Sequence, residues 1–304
     1  MKKLHIYFTD TDFIFVEKRN GLSSLNDYGS VKLPEGYIKN GVIEKFDELV
    51  GFVEGVLDRT KVKSSRAHLL LHEKIVDYKK FALPEGIKEN KVSEYINSKV
   101  GDELILPFND PVIDYKYTNI NGYPEAIIFS VSKEVINLYT KLLERVGLKI
   151  VKTDVPALAI HKAFHVTRNG ITPFEDETMF VNVYANIISI NVFRRQYPFF
   201  NIIAESGIEF KKENYKDIIQ NVQDEIYRMN NYYEWNVNKG KVKIKKAIIV
   251  PLTSDEEFDA LMVKQIIADN MTGISHLSFY NPNDENNLYN LNIKYLLTMS
   301  SSLI

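Results

Sequence analysis

The sequence predicts an α/β protein that folds as two lobes. Short apolar runs typical of strands alternate with segments whose apolar residues recur at helical spacing. A segment at 168–178 contains Gly170, Pro173 and several acidic residues, and it is the best candidate for a break between lobes. The two halves on either side run in a similar order, a group of strands followed by helices.

In the first half, a polar turn at 9–12 joins the first two predicted strands, and a loop marked by proline and glycine follows at 33–41. Ser132 can cap a helix that stops at Gly147. The other elements follow from hydrophobic periodicity. The predicted strands are 4–8, 13–17, 67–71, 76–83, 112–118, 126–131 and 149–153, and the predicted helices are 46–57, 88–100, 132–146 and 156–166.

The second half opens with three strand-like runs whose short connections predict an antiparallel meander. A long helix with one apolar stripe follows, from Ile218 to Tyr233. A buried strand with a basic lead-in is predicted at 243–250, and Ser254 with Glu257 has the spacing of a capping box for the next helix. The meander strands are predicted at 179–183, 187–193 and 197–204.

These elements predict the domain boundaries. The first lobe covers 1–177 and contains an inserted subdomain at about 31–146, which opens at the proline and glycine loop and closes before the strand at 149. The second lobe covers 178–304 and contains a small subdomain at about 205–244. Its last segment, about 285–304, could return to the first lobe.

Composition narrows the functional classes. The 304 residues are 45% hydrophobic and 26% charged, which is sufficient for two lobes that each have a core. A net charge of -2 gives no global attraction for nucleic acid or anionic lipid. The absence of cysteine excludes disulfides, thiolate metal sites and cysteine nucleophiles, and it fits a reducing compartment.

Neither a signal peptide nor a transmembrane helix is predicted. The first apolar run ends at Thr9 and Asp10, which is too short for a signal sequence. No stretch approaches the ~18 to 20 apolar residues that span a bilayer. We therefore expect a cytoplasmic protein that reaches a membrane only through a partner, and that does not sediment with protein-free liposomes.

Metal and catalytic motifs are weak. His161 and His165 are four residues apart on a predicted helix, but no further ligands accompany them, and His68 and His72 lie at a strand end where both rings need not converge. We therefore predict no metal site. The chain also lacks a Gly-x-Ser-x-Gly elbow, a Gly-x-x-x-x-Gly-Lys-Ser/Thr loop and a Gly-x-Gly-x-x-Gly turn, so no catalytic residue is assigned.

Two further segments have alternative interpretations. The tyrosine- and asparagine-rich segment at 230–235 could stack on bases or sugars, but packing and capping at a helix end are favoured. The lysines at 239, 241, 243, 245 and 246 predict a solvated strand, with a partner contact as the alternative.

Four stretches in order resemble the PilM family of type IV pilus assembly proteins, relatives of the division protein FtsA and of actin. Each motif alone is weak, but the ordered set spans nearly the whole chain. The resemblance implies an actin-like (ribonuclease H-like) fold. The four stretches are Leu33-Pro34-x-Gly36-x-Ile38-x-x-Gly41-x-Ile43; Leu106-Pro107-Phe108 with Asp114-Tyr115; Ser132-Lys133-Glu134-Val135 with 143–148 and 154–159; and Glu225-Ile226-x-Arg228 with Tyr232-Tyr233.

The chain departs from that family at the three nucleotide-binding turns. The family's first Asp-Ile-Gly turn resembles 7–9 here, where Tyr7 and Thr9 stand. Its second Asp-x-Gly turn resembles 182–184, with Asn182 and Tyr184, and its Gly-Gly-Gly turn resembles 251–254, which ends at Ser254. Glycine allows positive φ and close approach of a phosphate to backbone amides, so its loss predicts weak nucleotide binding. Asp10 and Asp12 could partly compensate for the missing carboxylates.

The resemblance implies a non-catalytic adaptor that binds the cytoplasmic segment of a PilN-like single-pass membrane protein. The binding groove is expected between the large part of the first lobe and the insert. Pilus motor ATPases and the inner-membrane platform protein are further expected partners, and no cofactor is expected. The alternatives are an active actin-like ATPase or sugar kinase that uses ATP and magnesium, an FtsA-like division protein, and a secretion-system relative of the same fold.

Overall fold

A computed structural model describes residues 2–18, 25–60, 62–120, 122–167, 177–194, 197–268, 276–279 and 292–302. The chain forms two compact units. The first contains Met1–Lys162 together with Leu297–Ile304, and the second contains Ala163–Leu296. Residues 168–176, most of the break predicted between lobes at 168–178, lie outside the described residues. Within the described parts of the chain, no helix has the length and apolar character needed to cross a membrane.

The first unit is built on a five-stranded sheet with the order β10-β6-β1-β2-β3. β1 pairs antiparallel with β2 and parallel with β6, so a meander is extended by parallel strands. β1 is buried along most of its length, as expected of a central strand covered on both faces. The strands are β1 (Lys3–Phe8), β2 (Asp12–Lys18), β3 (Leu25–Lys32), β6 (Arg66–Leu70) and β10 (Lys149–Asp154), and a small pair, β4 (Ile38–Lys39) with β5 (Val42–Ile43), precedes the first helix.

Besides the helix of the insert described below, three helices begin in this unit among the described residues, and the apolar stripes of the first two form the core with the sheet. α1 (Phe46–Arg59) buries Leu49, Val53 and Val56 at spacings of three and four. α3 (Lys133–Arg145) buries Tyr139 and two leucines, and it ends before Gly147, which has φ +78°. The third helix is α4 (Pro156–Thr167).

An insert with its own sheet and core interrupts the connection between β6 and β10. Its sheet has the order β7-β9-β8, and α2 buries Val92 and Ile96 against it. The separate sheet occupies only part of the predicted 31–146 insert, because α1 and β5 contribute to the core of the main sheet. The elements of the insert are β7 (Asp77–Ala82), α2 (Glu89–Lys99), β8 (Pro111–Ile120) and β9 (Tyr123–Ser132).

The second unit repeats the sheet topology with the order β13-β12-β11-β14-β15. The predicted antiparallel meander is present, and β14 and β15 extend it in parallel. α5 lies within the predicted 205–244 subdomain, and its buried stripe belongs to the core cluster of the sheet. The elements are β11 (Thr178–Val183), β12 (Ile187–Arg194), β13 (Tyr197–Glu205), α5 (Tyr215–Tyr232) with a π-helical turn (Tyr233–Val237), β14 (Lys246–Pro251), α6 (Glu256–Ala268), β15 (His276–Phe279) and α7 (Ile293–Thr298), whose last residues belong to the first unit.

Two local predictions in the second unit are wrong. Ser254 does not cap α6, because it adopts φ +62°, and the Asp255 carboxylate instead accepts the amide of Phe258 at 2.9 Å. The strand predicted from 243 begins at Lys246, so most of the lysine run lies on an irregular segment.

Candidate functional site

The turn between β1 and β2 is closed by its own side chains. The amide of Thr9 donates to the carbonyl of Asp12 at 3.0 Å. The hydroxyl of Thr9 accepts the amides of Thr11 at 3.2 Å and Asp12 at 2.9 Å. Tyr7, the preceding candidate, is buried in β1. The hydroxyl therefore occupies amide donors that an anion would need in order to bind this turn.

The two aspartates of this turn serve as structural acceptors. Asp10 accepts the amides of Asn40 at 3.1 Å and Gly41 at 2.9 Å, and His72 Nε2 lies 3.4 Å from its Oδ1. Burial lowers the pKa of His72, an effect that Asp10 partly opposes. We conclude that Asp10 fixes the loop that carries the Leu33–Ile43 motif.

The carboxylate of Asp12 is similarly engaged. It accepts the Thr11 hydroxyl at 2.6 Å, the Lys32 ammonium at 3.2 Å and the Ser30 hydroxyl at 3.4 Å. Both carboxylates that could replace the family's turn aspartate are thus bound to protein donors.

In the second unit, the two remaining candidate turns lie side by side at the ends of β11 and β14. The amide of Leu252 donates to the carbonyl of Val183 at 2.8 Å. Asn182 is buried within β11, and the amide of Tyr184 donates to Ile187 at 2.9 Å, which closes the hairpin into β12. The hydroxyl of Ser254 accepts Lys294 Nζ at 3.3 Å. The structure therefore brings Asn182, Tyr184 and Ser254 to one edge of this sheet.

A partly buried carboxylate that the sequence did not single out lies beside the last of these turns. Asp259 accepts the Thr253 hydroxyl at 2.6 Å, and that hydroxyl accepts the amide of Asp255 at 3.2 Å. Burial raises the pKa of Asp259 to about 6, although the Thr253 hydrogen bond opposes the shift. From the sequence, an aspartate in the first turn of a helix indicates only a favourable interaction with the helix dipole. The sequence does not show that this carboxylate is partly buried.

A groove in the first unit separates the insert from the edge of the main sheet. Its cavity has a volume of about 120 Å³. The walls are mainly apolar, and the polar members are Asp114, Thr153 and Asp154. The apolar lining comes from β8, β9, α3, α4 and the residues that follow β6 and β10: Leu71, Val112, Phe129, Val131, Ile136, Val155 and Leu158.

The strand β8 gives the groove an exposed rim. β8 is an edge strand, since it pairs with β9 alone among the described strands. Val112 and Asp114 are exposed, whereas Ile113 and Tyr115 between them pack on the core of the insert. Because side chains alternate along the strand, Val112 and Asp114 lie on the face of β8 toward the groove. Because β8 is an edge strand, the backbone groups of its outer edge can pair with another strand.

Asp154 forms the opposite side of the groove, and it is firmly held. Its carboxylate accepts the amide of Val155 at 3.0 Å, Lys162 Nζ at 2.6 Å and the Ser300 hydroxyl at 3.1 Å. A second, more polar cavity of about 600 Å³ lies between α3 and the loop that contains Pro107 and Phe108. Both cavities lie where the insert joins the main part of the unit.

The histidines considered as metal ligands do not form a ligand cluster in the described residues, where no group of three or more candidate ligands is found. His68 instead contacts His5, with ring centroids 4.7 Å apart. The Ser301 hydroxyl lies 2.6 Å from His68 Nδ1 and 3.4 Å from His5 Nδ1. His161 lies on α4, and the side chain of His165 is outside the described set.

Comparisons with known proteins identify the relatives of this chain. The family model of the type IV pilus assembly protein PilM matches residues 8–207. A PilM–PilN type IV pilus biogenesis complex is similar over 98% of this chain and 96% of that chain, with a TM-score of 0.73 and 12% identity. The curated protein sequences give no match.

Two more distant structures share the architecture. The cytoplasmic domain of EpsL, an inner membrane component of the type II secretion system of Vibrio cholerae, has a TM-score of 0.56 and 11% identity, covering 99% of this chain and 95% of that domain. The ethanolamine utilization protein EutJ from Carboxydothermus hydrogenoformans has a TM-score of 0.50 and 10% identity, covering 98% and 90%. The predicted actin-like α/β fold is confirmed.

Proposed function

Because the chain belongs to the PilM family of type IV pilus assembly proteins, we propose that it is a non-catalytic adaptor that binds the cytoplasmic segment of a PilN-like membrane protein. It acts at the cytoplasmic face of the membrane, which it reaches through that partner. Pilus motor ATPases and the inner-membrane platform protein are additional proposed partners. The observation that carries this proposal is the apolar groove beside the edge strand of the insert.

The groove has the chemistry of a peptide-binding site. An extended segment could pair with the open edge of β8 and place alternate side chains between Val112 and Leu158. The exposed carboxylate of Asp114 at the rim suits a segment that combines apolar and basic residues. The similar PilM–PilN complex supports a PilN-like occupant for this chain.

Binding of a synthetic peptide with the sequence of the partner's cytoplasmic segment tests the proposal. Val112 is 44% exposed, so Val112→Glu places a charge in the groove without disturbing the core. We expect at least tenfold weaker binding. Tyr123→Glu is the matched control, because Tyr123 is 70% exposed on the same sheet and does not line the groove. Equal affinities for both variants would place the binding site elsewhere.

The absence of catalysis is a separate part of the proposal. It is supported by the Thr9 hydroxyl bonded to the turn amides and by the structural bonds of Asp10 and Asp12. Each missing charge-assisted contact weakens nucleotide binding by roughly 1.5 to 3 kcal/mol. Calorimetry with magnesium and ATP is the direct test, and a dissociation constant in the low micromolar range would favour the ATPase alternative.

A further inference from the structure

The single tryptophan of the chain projects from the second unit. α5 ends in the π-helical turn Tyr233–Val237, and Trp235 on this turn is 64% exposed. A π-helical turn is rare and occurs often at functional sites. A large apolar side chain with this exposure lacks the hydrophobic stabilisation that burial would give, and it is informative when other exposed apolar side chains adjoin it.

The turn is fixed by buried and charged groups rather than left free. Tyr233 is fully buried, and Arg194 donates to its hydroxyl at 2.9 Å and to Asn238 Oδ1 at 2.9 Å. Arg194 also pairs with Glu177 at 2.9 Å. These contacts hold the backbone on both sides of Trp235, which is preorganisation of the kind that favours binding.

The indole ring of Trp235 also packs against the loop at Gly240. A Cβ at Gly240 would lie 3.0 Å from the indole Cζ3, so the ring covers a position that only glycine leaves open. The amide of Gly240 donates to the carbonyl of Glu234 at 2.8 Å, which closes the loop beneath the ring. One face of Trp235 is thus supported while most of its surface stays accessible.

Further aromatic surface adjoins the turn. Tyr232, the residue before it, is 44% exposed and its ring lies 5.5 Å from that of Phe200. Phe200 belongs to β13, which is at the edge of the sheet among the described strands. Exposed aromatic side chains of this kind act as anchors in protein interfaces.

The rim of this surface is strongly basic. Lysines occupy four alternate positions directly after the turn, and all four are exposed. The nearby carboxylate of Glu234 is paired with Lys243 at 3.5 Å, so it offsets only one of these charges. In a chain with net charge -2, this is a local concentration of positive charge. The four are Lys239, Lys241, Lys243 and Lys245.

We propose that Trp235, Tyr232 and the four lysines form a docking surface for an acidic segment of another protein, which packs an apolar side chain against Trp235. Charge complementarity selects the occupant, since the lysines attract carboxylates while the aromatic rings need an apolar contact. This surface belongs to the second unit, so it is additional to the groove proposed for the PilN-like partner. Single-stranded nucleic acid would also meet aromatic and basic groups, but the overall negative charge disfavours it.

Because Trp235 is the only tryptophan, its fluorescence reports directly on this surface. The probe is a 12-residue peptide of alternating glutamate and leucine without aromatic residues. We expect saturable change of the tryptophan emission and at least tenfold weaker binding at high salt, as screening requires. A peptide with lysine in place of glutamate should leave the emission unchanged.

Charge-reversal variants localise the binding. Lys239→Glu with Lys241→Glu should weaken peptide binding at least tenfold, whereas Lys216→Glu with Lys264→Glu makes the same charge change at exposed positions of the same unit and should leave it nearly unchanged. Trp235→Ala, followed by anisotropy of a labelled peptide, should also weaken binding. Unchanged emission, equal effects of the two double variants, or tighter binding of oligothymidylate than of the acidic peptide would overturn the proposal.

Discussion

The two units share one sheet topology but differ in what they bury. Each has a three-stranded meander extended by two parallel strands, with a helix before the fourth strand: α1 in the first unit and α5 in the second. The first unit buries ionisable residues such as His5, Glu17 and His68, whereas the buried polar residues described in the second are amides and hydroxyls such as Asn191 and Ser189. The same sheet topology can therefore bury ionisable side chains in one unit and, among the described residues, only neutral polar side chains in the other.

The units also differ in their connections. In the first, the insert separates β6 from β10 and creates the groove, whereas in the second α6 follows β14. The peptide-binding function that we propose thus depends on the insert of the first unit. In the second unit, the helices pack on the sheet in one apolar core.

The largest predicted effect is a loss of stability in acid that arises in the first unit. Burial, then the charges of neighbouring His68, Lys18, Lys3 and Lys152, lowers the pKa of His5 to about 3. Burial and nearby lysines lower that of His68 to about 4, although Asp154 opposes the shift. Below pH ~6.5, the ordinary pKa of histidine, these two histidines bind protons in the unfolded chain but not in the folded one. Their contribution to the free energy of unfolding is therefore full above that pH and falls as the pH drops toward 4.

We therefore expect the free energy of unfolding to fall by several kcal/mol between pH 6.5 and pH 4, since each histidine contributes up to ~1.4 kcal/mol per pH unit. Urea unfolding at a series of pH values measures it. The His5→Gln/His68→Gln double variant should have a flatter profile. A wild-type profile that is flat in this window would contradict the prediction.

The second effect contrasts two glycines of the loop that Asp10 fixes. Gly41 has φ +75°, and an added Cβ would lie 2.7 Å from the His72 side chain. Gly36 has nearly the same φ, +76°, but nothing lies within 4 Å of its added Cβ. We expect Gly41→Ala to cost about 3 kcal/mol, because backbone strain adds to a clash with a buried ring, and Gly36→Ala about 1 kcal/mol from strain alone.

Chemical denaturation of the two variants measures this difference. Equal losses of stability in the two variants would show that a small movement relieves the contact with His72. Gly41 would then be required only for its backbone conformation.

A third comparison concerns one partly or fully buried aspartate in each unit. Asp154 accepts three donors, including the Lys162 ammonium, so Asp154→Asn should destabilise the protein by about 2 kcal/mol. Asp259 has a raised pKa, so its ionisation destabilises the fold as the pH rises through about 6. Asp259→Asn should therefore stabilise the protein by about 1 kcal/mol at pH 8 and lose that advantage at pH 4.

Thermal unfolding at the two pH values checks the contrast. A loss of stability for Asp259→Asn at pH 8 would mean that the Thr253 hydrogen bond outweighs the cost of burying the charge.

The sequence predicted those parts of the molecule where one residue pattern decides the structure. The apolar stripes of α1 and α5 and the meander of the second unit follow from periodicity. β3 was not predicted, because it is an edge strand with Asp27, Gly29 and Ser30 in place of an apolar run. Its glycine is explained only by tertiary contact, since a Cβ there would lie 2.8 Å from the Phe15 ring.

The sites required still more information from the fold. The groove joins Leu71, Val112 and Val155, which are distant from one another in sequence. No local spacing could group them, which is why the sequence predicted the groove's location only through resemblance. The nucleotide-binding turns were easier to assess, because the sequence itself shows Thr9, Tyr184 and Ser254 where the family has glycines. It does not show the hydrogen bonds that these residues make.

The smallest predicted effect compares the two threonines that close strand-end turns. Thr9 Oγ1 accepts two amides, those of Thr11 and Asp12, and Thr9 is buried. Thr253 Oγ1 accepts one amide and donates to Asp259. Losing a hydroxyl leaves its donors without that acceptor, at a cost of roughly 1 kcal/mol for each net hydrogen bond.

We therefore expect Thr9→Ala to lower the free energy of unfolding by about 1.5 kcal/mol at neutral pH. Thr253→Ala should lower it by only about 0.5 to 1 kcal/mol, because water can replace the Thr253 hydroxyl as a donor to Asp259 when the turn relaxes. Thr9→Ser, which keeps the hydroxyl, should lose less than Thr9→Ala. Denaturant unfolding of the three variants measures the order. If Thr9→Ala and Thr9→Ser were equally destabilised, the methyl group rather than the hydroxyl would hold the turn, and the interpretation of Thr9 as an internal substitute for a bound anion would fail.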